Sequence, residues 1–238
     1  FLPNPNQNLN RTLPTSLKGV PGNPVTGQSD FVSLALTLGP GGGATCNFCH
    51  TSNPGPGSNR LIEPAGASDP QPFKMPELRN IYQKMLFNAA AAETIDGFGF
   101  DHDGNVSGFA SFFKNPSFSS YTATEQLDMS AYGLCFDTGT APAVGYTLTL
   151  NSLNVNNSSN QTNWATLQSQ AGANIDLIGR GTIQGQIHGL LFQAGSNPPS
   201  YTSDTGTVYT QAQLQTFLEG ADTISFMGVY PGTGSAQY

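Results

Sequence analysis

Cys46, Cys49 and His50 stand in the run Cys46-Asn47-Phe48-Cys49-His50, and C-x-x-C-H is the attachment signature of a c-type haem. Two thiols one helical turn apart can each form a thioether to the same porphyrin, and the adjacent imidazole then reaches the iron as an axial ligand. The cofactor expected is therefore one covalently attached haem c, bound through Cys46 and Cys49, with His50 on the metal. Two other chemistries use the same residue types. A redox dithiol belongs beside a βαβ pattern that this chain lacks, and a zinc site needs a fourth ligand, for which Cys135 is the candidate. Cys135 lies in Tyr132-Gly133-Leu134-Cys135-Phe136, the apolar end of a helical pattern, where a lone cysteine is usually a small core residue.

An iron with one histidine either takes a second ligand on its other face or leaves it open, and that choice separates electron transfer from ligand or peroxide chemistry. The residues able to serve are Met75, Met85, Met129, Met227, His102 and His188. Met85 leads, because it follows His50 by a loop and a helix and shares the expected helix face of Tyr82. Met75 is its rival at a loop-to-helix junction. A thioether ligand raises the reduction potential relative to a second imidazole. Arg79 is the candidate partner of a haem propionate, since a guanidinium fork matches a carboxylate.

The elements that must position these residues follow from composition and spacing. At 238 residues the chain can hold two small domains with real cores. Charged residues make up only 10%, and 28 glycines with many Ser, Thr, Asn and Gln carry the polar balance, which suits a secreted, loop-rich protein. A formal charge of −7 leaves no basic stripe to meet phosphates, so nucleic acid is not an expected partner. No run approaches the roughly 18 apolar residues of a membrane span, and no transmembrane segment is expected. The chain opens at Phe1 without an apolar signal region, the pattern of a mature exported product.

Residues 1–28 are rich in Pro, Asn and Gly without a sustained period, and read as an extended arm that is either a mobile tail or a strap on its own or a neighbouring subunit. Ser29 to Pro40 predicts a short helix capped by Ser29, with Phe31, Leu34, Ala35 and Leu38 on one face. Pro54 to Ser68 is a Gly/Pro loop. Phe73 to Phe87 predicts a helix with Pro76 as its first residue and Leu78, Ile81, Tyr82 and Met85 sharing a face. A further helix is expected over Val106 to Phe113, and another opens at Thr122, three residues before Glu125 in capping-box spacing. Asp96, Asp101 and Asp103 read as a solvated loop. Beyond Asp137 the period changes to two. Tyr146, Leu148 and Leu150, then Ile175 with Leu177, and Ile224 with Phe226, read as strands. Trp164 with Leu167 and Leu214 with Phe217 and Leu218 read as short helices, the second ending at Gly220.

Three segments in order, Cys46 to His50, Phe73-Lys74-Met75-Pro76-Glu77-Leu78-Arg79-Asn80 and His102-Asp103-Gly104, match the C-x-x-C-H, F-K-x-P-x-L-R-N and H-D-G of the di-haem cytochrome c peroxidase superfamily. Over roughly residues 31–140 the chain resembles the C-terminal haem domain of that family, and residues beyond resemble, diffusely, an extension of some exported members. The resemblance implies haem attachment outside the cytoplasm, hence a periplasmic or extracellular location, and places Arg79 near a propionate. The family uses two haems, whereas this chain has a single attachment motif. The family's electron-transfer haem takes its Met from beyond H-D-G, where this chain offers none before Met129, and Met85 is favoured for that reason.

The fold expected is α+β, a mainly helical cytochrome c-like haem domain followed by a small β-rich module. Its divisions are an arm over 1–28, the haem domain over 29–140 and the β-rich module over 141–238. The function expected is that of an exported mono-haem cytochrome c in electron transfer, a carrier rather than an enzyme, with no catalytic residue of its own and with an unspecified redox partner. The alternatives are a subunit of an extracellular homo-oligomer or filament joined by the arm and the β module, and a peroxidase-like haem enzyme.

Overall fold

The computed structural model describes residues 2–36, 43–51, 62–63, 72–84, 99–100, 106 and 108–238. The chain divides into two compact units, one of residues 1–8 and 12–140 and one of residues 9–11 and 141–238. Among the described residues helix accounts for 32% and strand for 23%, with seven helices and a six-stranded antiparallel sheet. The expectation of a mainly helical haem domain with a small β module is thereby corrected. Helix in the first unit is broken into short pieces, and the second unit is built on a sheet that spans most of its length.

In the first unit α1 runs over Pro24–Ser33, ahead of the helix expected at Ser29. The start moves because Asn23-Pro24 is the stronger signal: the Asn23 side chain accepts the Val25 N–H at 2.9 Å, and proline fits the first helical turn. The chain is extended again at Leu34, and β1 (Ala35–Leu36) pairs antiparallel with β2 (Ala44–Thr45). The turn α2 (Cys46–Cys49) follows directly. Next come the pair β3 (Ile62–Glu63) and β4 (Phe73–Lys74), then α3 (Ile81–Lys84) and α4 (Phe109–Phe112).

The helix expected from Pro76 begins only at Ile81. Met75 to Leu78 form no regular element, and Asn80 takes a left-handed backbone with φ 62°. Val106, expected in a helix, instead bridges Phe100. Met85, His102, the loop over Pro54 to Ser68 and the acidic Asp96, Asp101 and Asp103 fall wholly or mostly outside the described residues.

The unit closes on α5 (Ala123–Gly133), which packs against α1. Contact is close at Gly27 and Gly22, where an added Cβ would overlap the backbone carbonyls of Asp128 and Leu127. Gly27→Val must therefore push the two helices apart. Overpacking of this kind costs about 1–3 kcal/mol, to be seen as a lower denaturation midpoint of the first unit; an unchanged midpoint would refute the close approach.

Thr122 caps α5 as its spacing predicts. Its backbone N–H donates to Glu125 Oε2 at 2.6 Å, and its hydroxyl accepts the Glu125 N–H at 3.3 Å. The hydroxyl also donates to Glu125 Oε2 at 2.8 Å, and the two bonds that end on the carboxylate hold it below its ordinary value, the backbone bond first. The cap is therefore complete above that ordinary value and is lost as pH falls through the lowered one. Thr122→Ala should cost about 1 kcal/mol at neutral pH. The gap from the parent protein should narrow below about pH 4 in melts followed by circular dichroism.

The core of this unit is largely aromatic, with Phe31, Tyr82, Phe100, Phe109, Phe113, Tyr121, Tyr132 and Phe136 all buried. Phe31 meets Tyr132 and Phe136 edge-on at 5.5 and 5.3 Å between ring centroids, a favoured arrangement of aromatic quadrupoles. The opening residues are a strap on their own unit. The Asn4 amide donates to the carbonyls of Leu134 and Phe136 at 3.0 and 2.8 Å, Gln7 donates to Cys135 O at 2.9 Å, and Tyr82 donates to Pro3 O at 3.3 Å. The Asn4 and Gln7 bonds satisfy carbonyls left over just beyond the end of α5.

The second unit runs β5 (Thr147–Leu150), α6 (Ser158–Gln170), β6 (Asp176–Ile183), β7 (Gln186–Phe192), β8 (Ser200–Ser203), β9 (Val208–Thr210), α7 (Gln211–Glu219) and β10 (Ile224–Val229). The sheet order is β5-β10-β6-β7-β8-β9. Register sets Phe226 opposite Leu148 on one side and Gly179 on the other, and Gly179 in turn opposite Leu190. Alternate residues of these strands therefore share one face. Trp164 and Leu167 of α6 and Leu214 and Leu218 of α7 join that face in one buried cluster. From the early part of the chain, Arg11 donates to Asn174 Oδ1 at 3.1 Å within this unit. No helix among the described residues is long and apolar enough to cross a membrane.

Candidate haem-attachment site

Thr45 caps α2 in an extended conformation, and the turn closes with the His50 N–H donating to Cys46 O at 2.8 Å. Cys46 and Cys49, three residues apart on this turn, project from the same side of it. No two of the three cysteines form a disulfide. Cys46 is 7% exposed and belongs to the aromatic core, whereas Cys49 and His50 are half-buried. Burial pushes the Cys46 thiol above its ordinary value, against the opposing effect of a hydrogen bond with Tyr121.

His50 is held by the segment of the second motif. Its Nδ1 lies 2.9 Å from the carbonyl oxygen of Pro76, 26 residues away in the chain. A carbonyl can only accept, so Nδ1 carries the hydrogen and the lone pair of the neutral ring is at Nε2. A metal-binding histidine is oriented in this manner, by donation of its other ring nitrogen to a backbone carbonyl. Burial lowers the imidazole below its ordinary value, opposed by the Pro76 bond, and so favours the neutral ring that coordination requires. The contact also accounts for the late start of α3, since the Pro76 carbonyl is committed to His50 and not to a helix.

The residues present fit a covalently held haem. Two cysteines lie on one turn, an imidazole is fixed with its lone pair at Nε2, and the buried thiol belongs to a largely aromatic core. Cys46 and Cys49 would hold the porphyrin and His50 the iron. Arg79 follows Pro76 by three residues, with its Nε 3.5 Å from Glu77 Oε2. Met75 is half-buried beside Pro76, and Met129 is 1% exposed in the core on α5. His188 belongs to the second unit, where its Nδ1 lies 2.8 Å from Asp204 Oδ1.

The zinc alternative finds no ligand set: among the described residues no three His, Cys, Asp or Glu side chains converge. Cys135 is a core thiol, 1% exposed, with its sulfur 3.5 Å from Asn6 O, and burial pushes it up to about 12. Two contacts of the candidate site had no signal in the sequence, the Pro76 carbonyl behind His50 and the Tyr121 hydroxyl beside Cys46. Neither lies within the haem signature itself, and a backbone carbonyl carries no side-chain code. No protein-family model matches the chain, nor does any curated protein or solved structure.

Proposed function

We propose that the chain is an exported c-type cytochrome with one covalently attached haem, acting in electron transfer and akin to a single haem domain of the di-haem peroxidase superfamily. The observation that carries this reading is the 2.9 Å contact of His50 Nδ1 with Pro76 O, which sets an imidazole for coordination directly after a C-x-x-C turn. A haem bound there supplies a one-electron iron couple. The chain's own part is to tether it through Cys46 and Cys49, to fix the His50 ring through Pro76, and to exclude water with the aromatic core around Cys46. Arg79 would pair with a propionate, and Met85 would be the second protein ligand of the iron. Covalent attachment and the weakly charged composition support export, to the periplasm or outside the cell.

The test is a visible and near-infrared spectrum of protein produced in a host that attaches haem to C-x-x-C-H. A low-spin, six-coordinate spectrum with a sulfur-to-iron charge-transfer band is expected. A high-spin ferric spectrum that shifts on adding cyanide would replace the carrier with the peroxidase-like alternative.

A further inference from the structure

We propose that Tyr121 is a positioning residue for attachment at Cys46, an inference that rests on the haem reading above. The Tyr121 hydroxyl lies 3.3 Å from the carbonyl oxygen of Leu34 and 3.9 Å from the Cys46 sulfur. A phenol has one hydrogen. The carbonyl is the better acceptor, so the hydrogen goes to Leu34 and the phenol oxygen presents its lone pairs to the Cys46 S–H. The ring is fixed as well, stacked on Phe118 at 6.2 Å between centroids and only 6% exposed. The phenol thus joins the backbone before β1 to the first cysteine of the motif, 75 residues away, and holds the thiol in one direction within an otherwise apolar surround.

That direction matters for the covalent step. At Cys46 the S–H bond and the π bond of a vinyl group break; sulfur bonds to one vinyl carbon, the hydrogen ends on the other, and no net electrons are exchanged. A buried thiol free to rotate must find the vinyl group among several rotamers, and one held by Tyr121 starts from a single orientation. Because the hydroxyl touches the sulfur of Cys46, the effect falls on that thioether.

The experiment compares parent, Tyr121→Phe and Tyr121→His chains produced together in a haem-attaching host, with thioethers mapped by peptide mass spectrometry and folding checked by circular dichroism. Tyr121→Phe keeps the ring and removes the hydroxyl. Thioether at Cys46 should fall about fivefold relative to that at Cys49, the scale of one lost hydrogen bond. Tyr121→His restores a polar ring atom and should recover part of the Cys46 product. Equal occupancy of both cysteines in the Phe variant would overturn the inference and leave the haem reading standing, as would a parallel loss at both, which marks a merely structural residue. A parent chain without haem would overturn the reading beneath it.

Discussion

Replacing Cys46 and Cys49 together by alanine should yield a protein with the intact mass of its bare amino acids, whereas the parent chain from the same haem-attaching host should carry the added mass of one porphyrin. The effect is all or none because the three cysteines of the chain divide by environment. Cys46 and Cys49 share the turn that His50 completes, while Cys135 is sealed in the core against Asn6 and its thiol is pushed up to about 12 by burial. Cys135 has no second cysteine one turn away and no histidine beside it in the chain, so it cannot take over the attachment. His50→Ala should separate tethering from coordination: the porphyrin mass persists, and the spectrum loses the signature of an imidazole ligand. Retention of the porphyrin mass in the double-alanine chain would remove the basis of the functional assignment.

Trp164→Ala should unfold the second unit or bring it close to unfolding. The indole is completely buried, lies 4.9 Å from the Phe226 ring, and donates to the Tyr201 hydroxyl at 2.7 Å. Truncating a buried Trp costs about 3–5 kcal/mol, against a typical total domain stability of about 5–15 kcal/mol. Tyr201→Phe is the milder companion. It keeps the ring and leaves the Trp164 and Gln168 donors, now 2.7 and 2.9 Å from the hydroxyl, without an acceptor, at about 1–3 kcal/mol. Urea titration followed by circular dichroism measures the first variant. Tryptophan fluorescence measures the second, because Trp164 is the only tryptophan in the chain and reports on this unit alone. A midpoint unchanged in Trp164→Ala would refute its place at the centre of the core.

Local signals in the sequence were legible wherever neighbours in the chain also decide the structure. The Thr122 capping box needs only residues three apart, and α5 begins where it says. Alternation at Leu148 and Leu150 and at Ile224 and Phe226 marked two strands that proved to be partners. Trp164 with Leu167 and Leu214 with Leu218 marked α6 and α7, with Gly220 beyond the second. The strands β7, β8 and β9 are not legible: Leu190, Leu191 and Phe192 stand in a run without alternation, and Ser200–Ser203 and Val208–Thr210 are too short and polar for a period of two to stand out. The helix expected from Ser29 was misplaced because Phe31, Leu34 and Ala35 imitate a helical face, while Asn23-Pro24 already sets the start.

The sequence by itself determined the spacing of two sulfurs and an imidazole along the chain, which C-x-x-C-H fixes and which survives any packing. Only the tertiary structure decided which nitrogen of His50 carries the hydrogen, which thiol is buried, and why the F-K-x-P segment does not continue as a helix. Each of these depends on groups 26 to 75 residues apart, a carbonyl and a hydroxyl whose directions are set by the fold, and no local pattern encodes the direction of a distant hydrogen bond.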